Sequence, residues 1–276
     1  MRESPGTVAF SAASALLLLL VAGAVLGIAA LLAMPVLLDR LRGLQENAWW
    51  FLYRDPGTGA APPALWRIGA AAAATLVSLA ATLRARAISR RESSPVIPFL
   101  MMFFFSLGLE CLRAGTAVLF ATDGPVSFSI LLTRVIYWGR FVGVLGLLIA
   151  GLYCANLKYR RFFLLAGVVL LVSFAMAAYI PMDRTLFLAQ LTWKLGDEQS
   201  VWFVNLAIGL LAMFTGAAAG LARRGSRFVR LAIGLVLLVA SREFMFFALQ
   251  PAPLATGLIM QAAGAVLSLR ALSICD

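Results

Sequence analysis

The sequence predicts an all-α fold: a polytopic bundle of about eight transmembrane helices, or seven by the alternative count. Short loops join them, with one or two interfacial helices on the outer side. Three observations predict it. First, 62% of the 276 residues are hydrophobic and 13% are charged, with a mean hydropathy of +0.95, whereas soluble domains carry about a quarter charged residues. Second, long apolar stretches recur along the whole chain, and about 20 such residues cross roughly 30 Å of hydrocarbon. Third, arginines gather in every second connection. The chain reads as one integral-membrane helical domain over residues 1–276.

The stretches run 8–38, 66–83, 97–121, 128–157, 162–180, 201–221, 228–249 and 254–272. The first far exceeds the apolar core of a signal peptide, and no A-x-A site follows it; it reads as an uncleaved anchor. The second is short and alanine-rich, and the last carries Gln261 behind Gln250-Pro251-Ala252-Pro253. These two have the weakest apolar signal, and the seven-span count rests on them. Two outer loops hold apolar residues at helical spacing: Leu41, Leu44, Ala48, Phe51 and Leu52 within 39–63, and Phe187, Leu188, Leu191 and Leu195 within 183–200. Each predicts a short amphipathic helix on the bilayer surface; a lid over a site is the sharper alternative. Gly23 and Gly27, Gly139 and Gly143, and Gly216 and Gly220 are each spaced four apart, which lets helix backbones approach.

The basic loops set the orientation. Arg84, Arg86, Arg90 and Arg91 lie in one, Lys158, Arg160 and Arg161 in the next alternate loop, and Arg223, Arg224, Arg227 and Arg230 in the third. The positive-inside rule puts all three in the cytoplasm. Opposite loops hold Asp123, then Asp183, Asp197 and Glu198, then Pro251 and Pro253. A multi-pass protein of the cell (inner) membrane with both termini cytoplasmic follows. Trp49, Trp50, Trp66, Trp138, Trp193 and Trp202 then fall near the outer interface, as anchors or as the rim of an outward pocket.

Much chemistry is excluded. The net charge of +11 lies mostly in loop arginines beside apolar spans, which suits anionic lipid headgroups and not nucleic acid. No histidine is present, which removes haem–His ligation, H-E-x-x-H zinc sites and Ser-His dyads. Cys111, Cys154 and Cys275 form no C-x-x-C pair and read as small buried hydrophobes. No catalytic motif, metal-ligand spacing or cofactor fingerprint occurs, so the reading leans away from an enzyme.

Charges at membrane depth are the candidate site, because they are costly there and face a partner or water. They are Glu110, Arg113, Arg140, Arg242 and Glu243, with Tyr137 on the face of Arg140, and Arg134 further out. At about 1.5 Å per residue, Glu110 and Arg242 lie roughly 18 Å from the cytoplasmic ends, and Arg140 near the outer edge. Two readings follow. One is an ion-pair network, Glu110 with Arg242 or Arg140 and Glu243 with Arg113. The other is an outward anion or zwitterion site, since three arginines face two glutamates. A proton or ion relay through the two glutamates comes third. Asn205 and Gln261 are expected to bond across helices, while Asn156 and Gln250 sit near span ends. The function ranked first is a non-enzymatic sensor or receptor-like module. It would touch membrane lipid, bind an anionic or zwitterionic ligand and signal through a cytoplasmic effector docked on the arginine loops. A small transporter or permease subunit for such a solute is second, and an intramembrane lipid-modifying enzyme third.

Overall fold

The computed structural model describes residues 5–42, 44, 63–90, 94–155, 161–222, 226–248 and 251–272. Nearly all of them are helical. Helix α1 spans Pro5–Ala33 and α2 spans Pro35–Arg42. The break falls at Met34 because Pro35 has no N–H for the preceding turn and disfavours a helical residue before it. The expected first span therefore ends at Ala33 and not at 38. Of the helix expected within 39–63, Leu41 is buried in α2; Ala48 to Leu52, with Trp49 and Trp50, lie outside the described residues.

Helix α3 spans Pro63–Ser89, longer at both ends than expected. One face is buried: Arg67, Ala71, Ala74, Ser78, Thr82 and Ala85 recur at three- and four-residue steps. Thr75 and Ser78 hydroxyls donate to the carbonyls of Ala71 and Ala74, at 2.8 and 2.9 Å, so neither needs water. The third stretch is interrupted. Helix α4, Val96–Gly108, passes through a 3₁₀ turn at Leu109–Cys111 into α5, Leu112–Ala121. That tighter turn sits at Glu110. Helix α6 spans Val126–Cys154, and α7 spans Phe162–Tyr179.

Residues 182–195 depart most from expectation. They form an antiparallel hairpin, β1 Met182–Phe187 and β2 Trp193–Leu195, and not a surface helix. Leu191 takes the left-handed conformation, φ 60°, at the turn, and the Leu188 amide donates to Thr192 O at 2.9 Å. Phe187 stacks on Phe120 of α5 with centroids 4.4 Å apart and meets Trp193 edge-on at 5.4 Å. The aromatic residues draw the hairpin between helices, so Phe187, Leu188, Leu191 and Trp193 are buried. Trp193 is therefore a packed residue, not an interfacial anchor; its Nε1 donates to Ser129 Oγ at 2.9 Å.

Helix α8 spans Glu198–Ala222, α9 Ser226–Phe247 and α10 Pro251–Leu272. Seven helical segments are long and apolar enough to cross a membrane, among them both of the weak candidates, 64–89 and 251–272. The one that falls short is α9, which carries Arg230, Arg242 and Glu243. Its 22 residues match α10 in length, and it packs between α8 and α10. Gly234 and Gly264 bring α9 and α10 together: a Cβ at either would meet the other's carbonyl oxygen at about 3 Å. Helix α7 is the opposite case. Phe163, Leu171, Phe174 and Tyr179 are each at least 65% exposed, an apolar surface suited to contact with lipid.

Candidate functional site

The site lies where α3, the α4–α5 turn, α6 and α9 converge beneath the hairpin. The 3₁₀ turn and the start of α5 set Glu110 and Arg113 on one face at i and i+3. Arg113 Nε donates to Glu110 Oε2 at 2.6 Å. Arg140 lies 14 residues from either end of α6, about 21 Å deep, so it is central and not at the outer edge. Its Nη2 donates to Glu243 Oε2 at 2.5 Å. The pairs thus differ from those expected. Glu110 bonds Arg113 on its own segment, not Arg242 or Arg140, and Glu243 bonds Arg140, not Arg113. The physical reason is reach: the tight turn brings Arg113 onto Glu110, and Arg140 sits about 6 Å deeper than counting from the loop places it, because α6 ends at Cys154.

Phe246 of α9 fills the space between the arginines. The Cζ of Arg113 lies 4.4 Å and that of Arg140 3.8 Å from its ring centroid, and Tyr137 meets the same ring edge-on at 5.5 Å. Aromatic faces attract desolvated cations. Arg242 is fully buried between α9 and α4. Its Nη1 donates to Ser106 Oγ at 3.2 Å, and its Cζ lies 5.7 Å from the Phe103 centroid. Gly143 of α6 makes this room, since a Cβ there would collide with the guanidinium and with Ser106 Oγ. Among the described residues, Arg242 Nε and Nη2 and Arg113 Nη2 are buried with no hydrogen-bond acceptor.

A residue not anticipated from sequence completes the cluster. Arg67 of α3 is 1% exposed. Its Nη1 donates to Ala248 O and its Nη2 to Met245 O at 3.2 Å, so it caps the carbonyl end of α9, where a cation is favoured. Arg67 shares the small-residue face of Ala71, Ala74 and Ser78, the one signal that marks it as inward. Four buried arginines, Arg67, Arg113, Arg140 and Arg242, thus share an electrostatic neighbourhood with two glutamates, Glu110 and Glu243; Glu198 of α8 is a third carboxylate near Tyr137. Arg134 stays apart, facing a separate groove between α6 and α7.

The hairpin closes the cluster at one end. Arg113 Nη1 donates to Gln190 O, Thr116 Oγ1 donates to Leu191 O at 2.6 Å, and the Trp193 amide donates to Thr133 Oγ1 at 3.4 Å. Between Arg67, Ala71, Leu107, Glu110, Arg113 and Met245 a cavity of only about 10 Å³ remains, room for one water at most. Outside the bundle, Asp183 Oδ1 accepts from the Thr185 amide and hydroxyl at 2.9 and 2.6 Å. Those donors hold its carboxyl below the usual carboxylate range.

Two of the lesser polar positions, Gln261 and Asn205, form hydrogen bonds inside the bundle. Gln261 Nε2 bridges α10 to α3 through Ala74 O at 3.0 Å and Ser78 Oγ at 3.3 Å. Asn205 bonds within its own helix, to Val201 O at 3.0 Å, and not across helices. Cys111 and Cys154 are buried and not joined in a disulfide, with Cys111 Sγ 2.8 Å from Thr75 Oγ1. No group of three or more His, Cys, Asp or Glu suited to a metal occurs among the described residues. Asn156, Gln250 and Cys275 lie outside them. No protein-family profile, curated protein or solved structure matches the chain.

Proposed function

We propose that this chain is a multi-pass membrane module that binds an oxyanion-bearing ligand, anionic or zwitterionic, in its arginine cluster and acts as a non-enzymatic sensor. One observation carries the reading: Arg113 and Arg242 keep buried N–H groups without acceptors beside Glu110. An orphaned buried donor costs about 1–3 kcal/mol, more when charged, and a carboxylate or phosphate oxygen supplies what is missing. Orientation follows from the alternate loops bearing Arg84, Arg86 and Arg90 or Lys158, Arg160 and Arg161. With these cytoplasmic, the hairpin end faces outward, and the arginine loops are the docking surface for an effector that reports binding.

The test is equilibrium binding to protein in phosphatidylcholine nanodiscs, with inorganic phosphate and acetate as probes and choline as the cationic control. Saturable uptake of an oxyanion, weakened about tenfold by Arg242→Gln, supports the reading; a tenfold loss corresponds to about 1.4 kcal/mol. Choline binding, or no oxyanion binding, contradicts it. A second reading, transport of the same solute, is favoured by the 3₁₀ interruption between α4 and α5 at Glu110, since broken helices at mid-membrane line transporter sites. Flux of phosphate into proteoliposomes selects transport; binding without flux selects sensing.

A further inference from the structure

We propose that residues 190–192, the hairpin tip, are a removable plug that occupies the ligand's place on Arg113 and withdraws when an oxyanion binds. The proposal rests on the anion reading of the cluster. The cavity beside Arg113 holds one water at most, so no phosphate or carboxylate reaches the guanidinium in this conformation. The hairpin is the element that stands over it, and its Gln190 carbonyl takes the Arg113 N–H. The Gln190 carbonyl gives Arg113 one bond and no countercharge, whereas an oxyanion brings an opposite charge and can accept from two guanidinium N–H groups at once. An arriving oxyanion therefore outcompetes Gln190 O for Arg113.

The tip is also built to leave. Gln190 is 3% exposed, yet its Oε1 finds no hydrogen-bond partner among the described residues. Buried polar atoms in that state gain by returning to water. Leu191 holds a left-handed backbone, φ 60°, a conformation disfavoured for a residue with a side chain. Two of the tip's anchors are single side chains, Arg113 on Gln190 O and Thr116 on Leu191 O. The aromatic base is different: Phe187, Trp193 and Phe120 pack together, so the hairpin pivots on its strands while the turn lifts. Motion of this turn is the change through which a bound ligand becomes visible at the outer face.

The experiment places a thiol at the tip. Ala189→Cys, 4% exposed in the native chain, is reacted with a membrane-impermeant maleimide in nanodiscs, with the wild-type chain as the background for native cysteines. Inorganic phosphate in phosphatidylcholine nanodiscs is expected to raise the labelling rate at least tenfold if the ligand is a free anion. Phosphatidylglycerol nanodiscs without added phosphate raise it instead if a lipid headgroup is the source. Arg113→Gln and, independently, the near-isosteric Thr116→Val raise labelling without any ligand. A Thr116→Cys/Leu191→Cys disulfide, tying the tip itself to α5 where Thr116 meets Leu191, lowers phosphate binding at least tenfold, and reduction restores it. Unchanged labelling in both Arg113→Gln and Thr116→Val, or full phosphate binding by the oxidised double variant, overturns the plug. No oxyanion binding in any variant overturns the anion reading itself, an outcome the ligand-free labelling distinguishes.

Discussion

Glu243→Gln separates two accounts of the Arg140 contact. The side chain of Arg140 is 2% exposed and that of Glu243 23%, with a 2.5 Å bond between Nη2 and Oε2. If the contact acts only as a hydrogen bond between helices, its loss costs roughly 0.6 kcal/mol, the average for such bonds in membranes. If it neutralises a buried charge, removal of the partner costs about 3–5 kcal/mol. Glu243 is part-exposed and Arg140 keeps the face of Phe246, so the low end, about 3 kcal/mol, applies. The near-isosteric glutamine keeps an acceptor and removes the charge. Reversible unfolding in mixed micelles reads the difference, with Arg140→Leu and the Arg140→Leu/Glu243→Gln double variant closing the cycle. The double variant is expected to lose less than the two single losses combined, by at least about 1 kcal/mol. Additive losses, or a Glu243→Gln variant within about 0.5 kcal/mol of wild type, refute the pairing.

Three further outcomes follow. Gly143→Ala drives a methyl into the Arg242 guanidinium and should destabilise by about 1–3 kcal/mol, whereas Gly167→Ala, with open space around its Cβ, should be neutral or stabilising in the same unfolding assay. Gln261→Leu removes a bridge whose Oε1 is already unpartnered and leaves Ser78 bonded to Ala74 O; stability within about 1 kcal/mol of wild type is expected, and a loss above 3 kcal/mol contradicts the assignment. Asp183 titrates below the usual carboxylate value near 3.9. Its contribution to the hairpin start is full above that value and lost as pH falls through the lower folded one. Carboxyl NMR should show the midpoint rising in Thr185→Val, and an unmoved midpoint contradicts the turn.

The helical architecture was legible because hydropathy and lipid solvation act residue by residue: the weak candidates at 64–89 and 251–272 meet the apolar criterion on composition alone. The failures are those of long-range geometry. Helix α9 lacks an uninterrupted apolar stretch because it carries Arg230, Arg242 and Glu243, the last two of which build the site. The 182–195 segment has helical spacing, but Phe187 and Trp193 gain more by stacking with Phe120 inside the bundle than by lying on a surface. At the site, Glu110, Arg113, Arg140, Arg242 and Glu243 were identifiable because charge in an apolar stretch is conspicuous. Their pairing was not, since spacing fixes a face and not a neighbour. Arg67 was hidden by its place one residue inside the second apolar stretch, at its end and not at its middle.

The proposed ligand is an oxyanion on Arg113, in the place that the Gln190 carbonyl of the hairpin tip now holds. Selenate, an oxyanion with strong anomalous scattering, tests this placement directly in crystals of the lipid-embedded protein. The account predicts an anomalous peak within hydrogen-bond distance of the Arg113 guanidinium with the Gln190 carbonyl displaced. A hairpin unmoved at saturating selenate, with no peak in the cluster, contradicts it.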